Sequence, residues 1–271
     1  MSFTFKKIAA VGALLGAMAL AGCGQEEKDP NHIKVGVIVG AEQQVAEVAQ
    51  KVAKDKYGLD VELVTFNDYV LPNEALSKGD IDVNAFQHQP YLDGQVKDRG
   101  YKLVAVGNTF VYPIAGYSKK IKSLDELQEG AQVAIPNDPT NLGRSLLLLQ
   151  KVGLIKLKDG VGLLPTSLDI IDNPKKLKIV ELEAPQLPRS LDDAQIALAV
   201  INTTYASQIS MTPAKDGIFV EDKDSPYVNI IVAREDNKDA ENVKKFVQAY
   251  QSDEVAEAAN KIFNGGAVKG W

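Results

Sequence analysis

A single cysteine in 271 residues leaves nothing for a disulfide to join. The chain must owe its stability to core burial and not to covalent staples. Histidine is nearly as scarce, with only His32 and His88. No Gly-x-Ser-x-Gly elbow occurs, and the one thiol, Cys23, sits near the start of the chain behind an apolar run. A serine or cysteine nucleophile paired with a histidine base therefore lacks its parts. His88 has no clustered His, Cys or carboxylate partner at ligand spacing, which argues against zinc and the other transition metals, and His32, beside a polar N-terminal stretch, reads as a mobile surface residue. Gly40 ahead of a helix is a lone glycine, and Glu42 puts negative charge where a phosphate would have to sit. The acidic pairs Asp192-Asp193 and Glu221-Asp222 read as charged, solvated turns and not as catalytic carboxylates. The sequence thus gives no reason to expect an enzyme: no catalytic residue, no metal ligand and no cofactor.

Long hydrophobic runs and excess basic charge are missing as well. The apolar run Ile8 to Leu20 follows Lys6 and Lys7; it is too short for a comfortable bilayer span but suits the core of a signal peptide. Taking away residues 1–22, which carry those two lysines and no acid, leaves 249 residues and moves the formal charge from −6 to −8. That acidity argues against nucleic acid or a polybasic membrane contact as the main partner. Hydrophobic residues make up 45% of the chain, enough for a substantial core in one large domain or in two lobes of about 100–150 residues each.

What is present alternates between strand and helix. Ile33 to Val39 is a β-branched strand, Ala41 to Lys56 places Val45, Val48, Ala49, Val52 and Ala53 on one helical face, and Gly58 supplies a stop. Strands at Val61–Phe66 and Ile81–Phe86 flank a short helical piece at Asn73–Lys78. This β-α-β-α-β order implies a parallel sheet with helices on both faces. A strand at Tyr101–Val111 is interrupted by Tyr112-Pro113, a plausible crossing into a second lobe. That lobe is expected to hold a helix at Ser123–Gln128, strands at Val133–Ile135, Leu177–Glu181 and Ile196–Val200, and the helix that follows Asn137-Asp138. A strand at Tyr227–Ala233 then returns the chain, near Asn229, to the first sheet, and helices at Ala240–Gln251 and Asp253–Phe263 follow.

Ligands of open parallel sheets bind beyond the carboxyl ends of the strands. Here those ends carry Asn67-Asp68-Tyr69, Phe86-Gln87-His88, Asn137-Asp138 and Asn202-Thr203. The first two are aromatic and the last two polar, so a cleft between them offers an apolar slot facing an anion grip. Asn137, Asp138, Thr140 and Asn141 are all candidate caps; with Asp138 as the N-cap, Pro139 suits the first helical position, and Arg144 lies about a turn further in, its side chain leaning back toward the N-terminus. Free backbone N–H groups and this arginine suit a carboxylate. The same residues also fit a plain capped helix with a solvated arginine, and Tyr69 and Phe86 equally fit core packing.

Several blocks together carry a resemblance that covers essentially the whole chain: Leu-Ala-Gly-Cys23, Ile33-Lys-Val-Gly-Val-Ile-Val39, Asn84-Ala-Phe-Gln-His-Gln-Pro-Tyr91, Pro136-Asn-Asp-Pro-Thr-Asn-Leu-Gly-Arg-Ser145, Tyr227-Val-Asn229 and the closing Gly-Gly-Ala-Val-Lys-Gly-Trp271. The first resembles the lipobox at which bacterial lipoproteins are cleaved and lipidated. As a set they resemble the methionine-binding lipoproteins of the NlpA family, the periplasmic-binding-protein components of methionine ABC importers. The resemblance implies a two-lobed α/β periplasmic-binding-protein fold, each lobe a mostly parallel sheet flanked by helices, with two crossovers between lobes. It implies a signal peptide at 1–22, a lipidated Cys23 and tether at 23–32, a first lobe at 33–112 completed by 229–271, and a second lobe at 113–228.

The same resemblance implies roles for residues. Arg144 pairs with an amino-acid carboxylate, Asn202 hydrogen-bonds the polar head, and Asn229 fixes the amino and carboxylate groups. Tyr69, Phe86 and His88 wall in a thioether side chain, with Tyr91 beside them. The implied partners are methionine, an ABC permease and ATPase complex, and the membrane through Cys23, on the periplasmic side of a bacterial envelope. Within the same class the ligand is alternatively a methionine-containing dipeptide or another small amino acid. From a different class, the chain is a surface lipoprotein whose role is partner binding.

Overall fold

The computed structural model describes residues 29–222 and 224–271; the expected signal peptide and Cys23 lie outside the described residues. Strand β1 (His32–Ile38) is the first element among the described residues, followed by α1 (Ala41–Tyr57), β2 (Asp60–Phe66), α2 (Leu71–Lys78), β3 (Val83–His88), α3 (Gln89–Arg99) and β4 (Leu103–Val111). After Tyr112-Pro113 come β5 (Ala115–Tyr117), β6 (Gln132–Pro136), α4 (Pro139–Lys151), a small hairpin of β7 (Lys156–Leu157) and β8 (Ile170–Asp172), then β9 (Lys178–Leu182), α5 (Leu187–Ser190), β10 (Ile196–Ile201), α6 (Thr203–Gln208), α7 (Pro213–Asp216) and β11 (Phe219–Val220). The chain ends with β12 (Val228–Arg234), α8 (Glu241–Tyr250), α9 (Asp253–Ile262) and β13 (Val268–Lys269).

These elements build two lobes, one around each of two sheets. The first sheet has the order β13-β4-β12-β3-β1-β2, and the second β11-β5-β10-β6-β9. In the first, β2, β1 and β3 run parallel, while β12 inserts antiparallel between β3 and β4. In the second, β9, β6 and β10 run parallel and β5 lies antiparallel to β10. The chain therefore passes between the sheets twice, at Tyr112-Pro113 and again between β11 and β12.

Each sheet has its own apolar core. Val35, Val37, Val45, Ala49, Phe246 and Tyr250 belong to the first, and Val133, Ile135, Leu146, Leu149, Leu198 and Val200 to the second. A third cluster joins Ile38, Phe86 and Tyr91 of the first lobe to Ala134, Ile201 and Tyr205 of the second, so the lobes are held in contact. α1 shows the expected sequence logic: Val45, Ala49, Val52 and Ala53 are buried, and left-handed Gly58 caps the last turn.

Several expectations are corrected. Ser123–Gln128 forms only a 3-10 turn at Leu124–Glu126, because Leu127 turns to extended backbone and its carbonyl accepts from the Lys175 ammonium at 2.7 Å. The third strand starts at Val83 and not Ile81. α3, not anticipated, follows immediately: it buries only Tyr91 and Leu92, too little for an apolar stripe to betray it. His32 is no mobile residue; it begins β1 and hydrogen-bonds Asp60 at 2.9 Å.

Candidate functional site

The carboxyl ends of β2, β3, β6 and β10 converge where the lobes meet. There they line a narrow, nearly filled cavity. Tyr69, Phe86, His88, Tyr91, Arg144, Asn202 and Asn229 all line it, together with Gln87, Tyr112, Asn141, Thr203 and Thr204. The structure thus brings all seven sequence-predicted pocket residues to one place; Cys23, the eighth candidate, lies outside the described residues.

The aromatic side is a packed group. The Tyr69 ring centroid lies 5.7 Å from that of Phe86, 6.1 Å from Tyr91 and 5.0 Å from Tyr205. The Tyr91 hydroxyl donates to the Tyr69 carbonyl at 2.8 Å, which ties the loop after β2 to α3. Burial pushes the Tyr69 and Tyr91 hydroxyls far above the usual phenol range, so both stay neutral. Phe86 sits at a bulge: Ile230 pairs with Gln87 and Ile231 with Ala85, leaving Phe86 without a ladder partner. Its carbonyl instead accepts from Asn229 Nδ2 at 3.1 Å, and this bond fixes the Asn229 amide at the cavity wall.

The polar side is organised by a residue that the sequence reading treated only as a possible cap, Asn141. Asp138 is indeed the N-cap of α4, accepting from the Asn141 backbone N–H at 3.0 Å and from the Thr140 hydroxyl at 2.9 Å. The Asn141 amide also donates to Asp138, at 2.9 Å to Oδ2, which turns its Oδ1 toward the cleft. That oxygen accepts from Asn202 Nδ2 at 2.9 Å and meets His88 Nε2 across the lobes at 3.2 Å. His88 Nδ1 accepts from the Tyr91 backbone N–H at 3.1 Å, so its proton is on Nε2 and the ring donates to Asn141. Burial, and then the neighbouring Arg144 charge, lower the His88 pKa to about 3, so the ring is neutral. Asn202 lines the cavity, and its Oδ1 is a buried acceptor without a partner among the described residues.

Arg144 is 3% exposed, far from the solvated arginine that its sequence context also allowed. Its Nε donates to Glu221 at 2.9 Å, and Nη2 donates both to the other Glu221 oxygen and, at 3.1 Å, to the Tyr112 carbonyl. The Tyr227 ring lies under the guanidinium, 4.4 Å from the carbon to the ring centroid. The side face of the fork is therefore taken, and Nη1 alone has no protein partner among the described residues. Glu221 corrects the sequence reading of a solvated acidic pair. Asp222 is exposed and pairs with Lys151, whereas the Glu221 side chain is only 13% exposed. β11 places it there: Phe219 pairs with Gly116, where a Cβ would come within 2.3 Å of the Phe219 ring, and the Glu221 N–H then donates to the Ile114 carbonyl at 2.9 Å. Sequence offered no signal for this contact, since 77 residues separate the partners.

Glu42 is a second acid that the sequence misplaced. It is 2% exposed and accepts from the Thr204 hydroxyl across the lobes. Burial raises its pKa to about 8, so near neutrality the carboxyl is mostly protonated.

The model of the NlpA lipoprotein family matches residues 33–271. The D-methionine-binding lipoprotein MetQ of Escherichia coli strain K12 is 90% identical over 271 residues, covering all of both chains. A crystal structure of the methionine binding protein MetQ superposes with a TM-score of 0.89 at 92% identity, covering 90% of this chain and 99% of that one. A nutrient binding protein from Burkholderia cenocepacia bound to methionine superposes with a TM-score of 0.85 at 55% identity, covering 88% of this chain and all of that one.

Proposed function

The chain belongs to the NlpA lipoprotein family, and from that premise we propose that it captures methionine between its lobes and delivers it to an ABC importer. The observation that carries the reading is the pairing of two unspent polar groups, Arg144 Nη1 and Asn202 Oδ1, on a cavity whose other wall is aromatic. A free amino acid needs a donor for its carboxylate and acceptors for its ammonium. Arg144 Nη1 takes the carboxylate end-on, since Glu221 already holds the side of the fork. Asn202 Oδ1 and the Asn229 amide oxygen, whose nitrogen is spent on Phe86, take the ammonium.

Tyr69, Phe86 and Tyr91 then receive an unbranched, polarizable thioether, each sulfur–aromatic contact contributing roughly 0.3–1.5 kcal/mol. His88, neutral and donating to Asn141, contributes ring surface and holds the polar side together; it adds no charge. Binding energy is realised only when both lobes touch the ligand, so closure about the two crossovers traps it. The role is binding and delivery with no chemistry on the ligand. Residues 1–22 act as the signal peptide, Cys23 carries the lipid that holds the protein at the periplasmic face of the envelope, and the permease and ATPase of the importer are the receiving partners.

The test is calorimetric titration of residues 24–271 with L- and D-methionine after unfolding and refolding to strip carried ligand. One-to-one, sub-micromolar binding that disappears in Asn229→Ala is expected. Absence of heat from refolded protein, or a methionine dipeptide binding tighter than methionine itself, overturns the reading.

A further inference from the structure

A buried cation beside a cavity is a strong attractor for any carboxylate, whether or not an ammonium accompanies it. Arg144 does not stand alone in that way. Glu221 takes its Nε and one Nη2 hydrogen, and the pair is almost fully withdrawn from water. His88 and the Tyr227 ring under the guanidinium contribute no charge, and the Asp138 carboxylate is hydrogen-bonded to Thr140 and Asn141 in the N-terminal turn of α4. The Arg144–Glu221 pair at the polar end of the cavity is thus neutral in total. We infer that Glu221 is the specificity-determining residue for ligand charge: by neutralising Arg144 from behind, it makes the cleft select zwitterionic amino acids over monocarboxylates of the same shape.

The physical reason is desolvation. A zwitterion carries no net charge into the closed cleft, and its two ends meet Arg144 Nη1 and the two asparagine oxygens. A carboxylate without its ammonium adds one uncompensated negative charge to a site that already holds Glu221, in surroundings that water reaches poorly. Removing the Glu221 charge leaves Arg144 an unpaired cation, and the penalty on the bare carboxylate shrinks. Glu221 is not among the residues lining the cavity, so it acts through Arg144 and through net charge, without touching the ligand.

The inference rests on the reading of the cleft as a methionine site, and the experiment separates the two. Methionine and 4-(methylsulfanyl)butanoate, which is methionine without its amino group, are titrated into ligand-stripped wild type, Glu221→Gln and Glu221→Asp. In wild type the butanoate is expected to bind at least thirtyfold more weakly. Glu221→Gln should narrow that ratio at least tenfold, chiefly by tighter butanoate binding, and Glu221→Asp, which keeps the charge, should hold it within about twofold. An unchanged ratio in Glu221→Gln, or equal narrowing in both variants, overturns the assignment. So does wild type that binds the two compounds within threefold of each other, a result that needs no variant to fold. Wild type that binds no methionine overturns the methionine reading and this inference with it.

Discussion

Replacing Asn141 by alanine tests whether one amide organises the polar half of the cleft. Its Oδ1 receives two buried hydrogen bonds, from His88 Nε2 at 3.2 Å and Asn202 Nδ2 at 2.9 Å. Losing it orphans both donors, and each unsatisfied buried donor costs about 1–3 kcal/mol. Water entering the vacated space recovers part of this, so a net loss of about 2–4 kcal/mol in the ligand-free protein is expected. The α4 cap survives, because Asp138 keeps the residue-141 backbone N–H and the Thr140 hydroxyl. Binding suffers separately. Asn202 loses the bond that aims its free oxygen, and a hydrogen bond to a charged group contributes about 1.5–3 kcal/mol, so affinity for methionine should fall roughly 10- to 100-fold. Urea unfolding of stripped protein measures the first quantity and calorimetric titration the second; stripping matters, because bound ligand adds its own stabilisation. A variant that loses stability yet binds methionine within twofold of wild type would refute the reasoning, since Asn141 would then be structural only.

Two further outcomes follow from buried charges. Arg144→Ala removes the proposed carboxylate contact and strands Glu221 without its cation; binding should weaken well over tenfold, and breaking a buried pair costs about 3–5 kcal/mol, visible as a lowered Tm by scanning calorimetry. Affinity retained within threefold would exclude that arginine from the site. Glu42 sets a pH slope: its pKa is about 8 in the fold against 4.5 unfolded, so between those values the native state holds the extra proton and stability falls as pH rises, by on the order of 4 kcal/mol at most. Glu42→Gln keeps an acceptor for Thr204 without the charge and should be more stable than wild type at pH 8 but little different at pH 4. His88, lowered to about 3, gives the opposite slope, stability lost as pH falls below about 6.5. It does so in both proteins, so parallel urea-unfolding profiles from pH 4 to 8 would refute the Glu42 assignment.

The strands and longer helices were legible because their signals are local. β1 and α1 announce themselves through β-branching and a 3.6-residue apolar period, and the α4 cap through Asp138-Pro139. Strand ends pointed to the right loops, since a parallel sheet presents its carboxyl ends on one side. What escaped was everything decided by pairing at long range. Glu221 and Asp222 are alike on paper, yet two residues of β11 pairing beside Gly116 send one inward and leave the other in water. Glu42 reads as a surface acid on a helix start until α6 closes over it. Asn141 is a plausible cap residue, yet Asp138 takes that role and the Asn141 side chain meets Asn202 and His88 instead. α3 hid because a helix packed through Tyr91 and Leu92 alone leaves no periodic trace.

The contacts of Arg144 have a mechanical meaning as well as a chemical one. Its guanidinium holds the carbonyl of Tyr112 in the first crossover and rests on the ring of Tyr227 next to the second. A ligand pulling on Nη1 therefore applies its force at the fulcrum, where the arm is short. If the lobes close on a ligand as proposed, a small displacement at that fulcrum is carried by the length of the lobes into a larger one at their outer rims.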